Sequence, residues 1–105
     1  MNSWTKDQIF KELKTILVEA LEIKPDMIRP ESLIISDFGA ESIDILDIAF
    51  RIERTFNIKI PEQAFSIDPS DIPKGKKASE ILTVKLILDY IKKKLREKGP
   101  LQQNG

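Results

Sequence analysis

Apolar positions along the chain fall into three stripes of helical period. Ile9, Leu13, Ile16, Leu17 and Ala20 stand at i, i+4, i+7, i+8 and i+11, the spacing of one buried helix face. Thr5 followed by Gln8 forms a T-x-x-Q capping box at its start, and Pro25 closes the helix between Leu21 and Lys24. A second helix spans about 42–57, with Ile45, Ala49, Ile52 and Phe56 as its inner face. Ile43 and Ile48 lie off that stripe and read as partly exposed, either as a binding patch or as ordinary surface apolar residues. The last helix begins between Ala78 and Thr83 and turns Val84, Ile87, Ile91 and Leu95 inward, with Leu88 flanking. Lys92, Lys93, Lys94, Arg96 and Lys98 fill its final turns, where cations suit the helix dipole. Gly99-Pro100 stops it and leaves residues 99–105 as a flexible tail.

The segments between the stripes carry signals of their own. Residues 24–40 read as a long loop with Pro25, Pro30 and Gly39; Met27, Ile28, Leu33, Ile34, Ile35 and Phe38 are too apolar for a free linker, so several should plug the core. Asn57 to Pro61 alternates like a short strand but has no second strand to pair with, and Pro61 suits the opening of a short helix containing Glu62, Ala64 and Phe65. Residues 66–77 hold two prolines and a glycine and are expected as an extended surface loop. The expected fold is all-α, a small four-helix bundle of three long helices plus a short third one, in one domain over residues 1–98.

Composition narrows the chemistry more than it changes the fold. A chain of 105 residues with 41% hydrophobic and 32% charged residues supports one folded core rather than disorder. Unbroken apolar runs reach only three residues, so no transmembrane segment is expected, and the first ten residues hold no signal-type apolar region; a cytoplasmic monomer is the expectation. Cysteine and histidine are both absent, which removes disulfides, thiolate nucleophiles and imidazole bases or ligands. The four glycines form no phosphate-binding loop, and no acidic stretch has calcium-loop spacing. Catalysis by this chain alone is not expected, nor is a nucleic-acid partner or a metal. The zero net charge conceals an asymmetry: residues 37–53 carry five acidic groups against Arg51, whereas residues 74–98 carry nine basic groups against three acidic ones.

The stretch DFGAESIDILDIAFRIERTFNIKIPE, residues 37–62, resembles the signature of acyl carrier proteins, D-[LF]-G-A-[DE]-S-[LI]-D. The likeness runs through the first helix, the long loop, the second helix, the I-P-E that follows and the Thr83-Val84 before the last helix. It implies that a phosphopantetheinyl transferase attaches 4′-phosphopantetheine from coenzyme A to Ser42, and that acyl-activating, condensing or acyl-transfer enzymes are the further partners. Such a phosphodiester would lie at a helix N-terminus, where free N–H groups and the dipole favour an anion, with Gly39 and Ala40 keeping bulk away from the hydroxyl. Asp37, Glu41, Asp44, Asp47 and Glu53 would then form an acidic recognition face, with Ile43 and Ile48 as apolar contacts at its centre. Ile45, Ile52 and Ile87 would have to admit an acyl chain if cargo is sequestered. The neutral net charge and the long segment between Pro61 and Thr83 depart from the family pattern and suggest a specialised fatty-acid, lipid or polyketide pathway. An aminoacyl or peptidyl carrier, for which G-G-x-S is the more usual motif, and an unmodified helical interaction module are the alternative readings.

Overall fold

Thr5 starts the first helix as its spacing requires. Its Oγ1 accepts from the Gln8 backbone N–H at 3.1 Å while Gln8 Oε1 accepts from the Thr5 N–H at 3.1 Å, so two otherwise orphaned donors are satisfied. The computed structural model describes residues 4–61, Gly75 and residues 81–98. Within these, α1 spans Lys6–Leu21, α2 Ser42–Phe56 and α3 Val84–Lys98, and Pro25–Met27 forms a single 3-10 turn. α1 ends where Glu22 adopts a left-handed conformation and returns its N–H to the Val18 carbonyl. Asn57 ends α2 in the same way, and Thr83 starts α3 by accepting the Leu86 N–H on its hydroxyl at 3.0 Å.

Side-chain contacts at the helix ends fix their directions. Trp4, just ahead of α1, packs edge-on against Phe56 at the end of α2 with ring centroids 4.8 Å apart, so the two helices run antiparallel. Lys98, the last residue of α3, donates to the Asn57 carbonyl at 2.6 Å. The carboxyl ends of α2 and α3 therefore lie together, and these helices run parallel. At the opposite end, backbone hydrogen bonds sew the long loop to the start of α3: Ile34 N–H to Leu82 O (2.9 Å), Val84 N–H to Ser32 O (3.0 Å) and Lys85 N–H to Pro30 O (2.8 Å).

The core is filled by Ile9, Leu13, Ile16 and Leu17 of α1, Ile48, Ile52 and Phe56 of α2, and Val84, Ile87 and Ile91 of α3. Ile28 and Ile34 plug it from the loop, as expected of that segment, whereas Met27 is exposed. Ser32 is buried there without penalty, because its hydroxyl accepts from the Arg29 N–H and donates to the Met27 carbonyl. Ile58 and Ile60 turn into the core as well, and Asn57 to Pro61 forms no strand.

One expectation for α2 needs correction. Ile48 is 1% exposed, in the core rather than on the surface. It lies three residues after Ile45 and four before Ile52, which places it on the inner face, while Ile45 and Ala49 are only partly buried. The described residues form an all-helical bundle of three α-helices; the short helix expected from Pro61, the loop over 66–77 apart from Gly75, and the tail at 99–105 lie outside them.

Candidate functional site

The loop before α2 is wound tightly enough to aim its last residues. Asp37 N–H donates to Leu33 O (2.9 Å), Gly39 N–H to Ile35 O (2.9 Å) and Ala40 N–H to Ile34 O (3.2 Å), and the Asp37 carboxylate accepts the Leu33 N–H at 2.8 Å. Gly39 has φ +70°, in the left-handed region that L side chains disfavour. A Cβ built there would meet nothing within 4 Å, so the glycine answers a backbone need and not a lack of room. Ala40 points inward and is buried. Together these residues reverse the chain, sink one methyl group into the core and bring Glu41 and Ser42 out to solvent.

Glu41, not Ser42, is the N-cap of α2: its backbone is extended and its N–H is accepted by the Asp44 carboxylate at 2.9 Å. Ser42 is thereby left as the first residue of the helix, exposed, and its hydroxyl has no hydrogen-bond partner among the described residues. Beside it, Ile43 (68% exposed), Leu46 (41%) and Phe50 (59%) stand at i, i+3 and i+7 on one outward stripe. Sequence reasoning named Ile43 but missed Leu46 and Phe50, although the same period that defines the inner face marks them. Ile48, expected in this patch, faces away from it into the core.

The five acidic residues expected to form a face divide by what they already hold. Asp37 binds the Leu33 N–H, Asp44 the Glu41 N–H, and Glu53 the Ile60 N–H at 2.7 Å. Asp47 pairs with Arg51 at 3.1 Å, and the same guanidinium reaches Glu19 of α1 at 3.2 Å. These carboxylates therefore fix the loop, the start of α2, the chain after α2 and the α1–α2 contact. The Asp89 carboxyl of α3 is held below its usual range mainly by a hydrogen bond from Lys85.

Comparison with known proteins decides the family. Residues 11–70 match the family model described as "Phosphopantetheine attachment site", more than half of the chain. The chain belongs to the acyl carrier protein family. It is 29% identical over 84 residues to an acyl carrier protein of Campylobacter hominis, which covers 80% of this chain and 90% of that protein. The acyl carrier protein of Campylobacter fetus subsp. fetus is 29% identical over 83 residues, covering 79% of this chain and 91% of its own length. That of Wolinella succinogenes is 36% identical over 55 residues, or 52% of this chain and 72% of the relative. The protein is an acyl carrier, and its prosthetic group is 4′-phosphopantetheine. Among the described residues no helix is long and apolar enough to cross a membrane.

Proposed function

We propose that Ser42 bears the 4′-phosphopantetheine arm, and that the stripe of Ile43, Leu46 and Phe50 is where a phosphopantetheinyl transferase and acyl-handling enzymes dock. The observation that carries this reading is an exposed hydroxyl with no hydrogen-bond partner among the described residues, at the first position of α2 beside that apolar stripe. The positive end of the α2 dipole would stabilise a phosphodiester there by roughly 0.3–1 kcal/mol. The arm supplies the terminal thiol that this cysteine-free chain lacks. Ser42 needs no base of its own, because the transferase brings the chemistry to it. The protein is then a non-catalytic, monomeric, cytoplasmic carrier built as one domain over residues 1–98. Of the acidic side chains, Glu41 and Asp44 flank the hydroxyl in sequence and are placed to steer a basic partner towards it.

Co-expression with a phosphopantetheinyl transferase tests the assignment by intact mass. The wild type should gain the mass of one arm and Ser42→Ala none. Because Glu41 caps the helix, Ser42→Ala should change stability by no more than about 0.5 kcal/mol. A mass gain that persists in a folded Ser42→Ala protein overturns the assignment.

A further inference from the structure

The parallel run of α2 and α3 brings two sets of cations to one pole. Arg54 lies in the last turn of α2, Lys59 follows that helix, and Lys93, Lys94, Arg96 and Lys98 occupy the last turns of α3. A recess of about 300 Å³ opens there, lined by Asn57, Ile58, Lys59, Lys94, Glu97 and Lys98. The helix dipole accounts for some of this charge, since cations in a last turn stabilise a helix by about 0.3–1 kcal/mol. Lys98 is committed to the Asn57 carbonyl, and Lys94 to Glu97 at 3.7 Å. Lys59 belongs to neither helix, and among the described residues Arg54, Lys59, Lys93 and Arg96 form no ion pair. Of these four, Lys59 lines the recess beside Lys94 and Lys98, while Arg54, Lys93 and Arg96 stand on the last turns of the two helices around it.

We propose that this pole is a second docking surface, for an acidic segment of a partner protein, and that it can be occupied while Ser42 is free. α2 is 15 residues long, so its two ends stand about 20 Å apart, enough for two partners to contact opposite poles. Charge complementarity selects the occupant. A compact anion would sit against the carbonyl end of α2, where the dipole repels it, whereas a polypeptide can set its carboxylates on Lys59 and Lys94 at the recess and reach the other cations of the pole beyond it. A lipid surface is the poorer fit, because the exposed large apolar side chains of the described residues (Met27, Ile43, Leu46, Phe50 and Leu86) lie on the loop, along α2 and at the start of α3, and none is at this pole. A carrier held at this pole keeps its arm near one enzyme assembly while the α2 stripe visits successive active sites.

A fluorescent oligoglutamate peptide is the probe, with binding read by anisotropy at low and raised salt. The full chain should bind it in a salt-sensitive manner, and Lys59→Glu/Lys94→Glu should weaken binding about tenfold, as expected for surface charges acting together. Lys59→Gln/Lys94→Gln, a milder change, should weaken it less, and circular dichroism should show both variants folded. Lys11→Glu/Lys24→Glu removes equal charge elsewhere and should bind nearly as the wild type does. Transferase modification of Ser42 should proceed at an unchanged rate with the peptide bound or with Lys59 and Lys94 reversed. The proposal is overturned if the peptide does not bind, if the control pair weakens it equally, or if phosphatidylglycerol vesicles bind and the peptide does not. Peptide binding is read without reference to the arm, so it can succeed or fail whatever the mass of Ser42→Ala shows.

Discussion

At the residue scale, Gly39 controls the site without touching it. Its φ of +70° costs an L side chain about 1–2 kcal/mol, although the space beside it is open. Gly39→Ala should therefore lower Tm by several degrees and slow modification of Ser42 by distorting the turn that presents it; 1 kcal/mol corresponds to roughly 4–8 °C in a domain of this size. Gly39→Asn, with a side chain that tolerates the left-handed region, should fall between the two. Calorimetry and a transferase assay check both variants. Equal Tm for Gly39→Ala and the wild type would show that the loop adopts another conformation. Glycine in this position was legible in the sequence as part of a motif, but its reason was not. An expectation of steric clearance gave way to one of backbone sign, which only the dihedral angle shows.

At the scale of one element, α2 presents two apolar stripes with opposite duties. Ile48 and Ile52 face α1 and the core, while Ile43, Leu46 and Phe50 face solvent. Ile48→Ala should cost roughly 2–5 kcal/mol, the range for a buried large-to-small change, and should show that loss in denaturant midpoint. Ile43→Ala and Phe50→Ala should leave the midpoint nearly unchanged yet slow transferase modification. If Ile48→Ala is instead neutral for stability, the inward assignment fails. The helix boundaries and most of the core were legible because apolar spacing is a direct record of burial. The run Ile45-Ala49-Ile52-Phe56 leaves out Ile48, although a buried stripe includes both i+3 and i+4 neighbours. The acidic residues were harder still. Composition marks Asp37, Asp44 and Glu53 as negative, but only the fold shows that each holds a backbone N–H close to it.

For the molecule as a whole, the arrangement depends on contacts distant in sequence. The loop that presents Ser42 is fixed by bonds to residues 82, 84 and 85, and the far pole by Lys98 on Asn57. Lys85→Pro tests the first connection: proline is tolerated in the first turn of a helix but removes the N–H given to the Pro30 carbonyl. Overall helix content should persist, stability should fall by about 1 kcal/mol, and amide exchange over residues 33–40 should quicken. Unchanged exchange there would mean that Ile34 and Ala40, buried in the core, hold the loop by themselves. No local pattern in the sequence marks these long-range ties, since the bonds use backbone groups that every residue carries.

The order in which the chain is made gives these ties a consequence in time. Ser42 leaves the ribosome roughly 40 residues before Leu82, Val84 and Lys85, and at about 5–20 residues per second that is an interval of some seconds. During it the serine has been synthesised but the frame that turns it outward has not. Until then Ile34, Ser32 and Pro30 have no partners for the bonds they make to residues 82, 84 and 85, and with those bonds made Ser42 stands at the head of a helix after a loop tied in place. If Ser42 bears the arm, a transferase can meet that hydroxyl in its fixed setting only once residues 82–85 have been made.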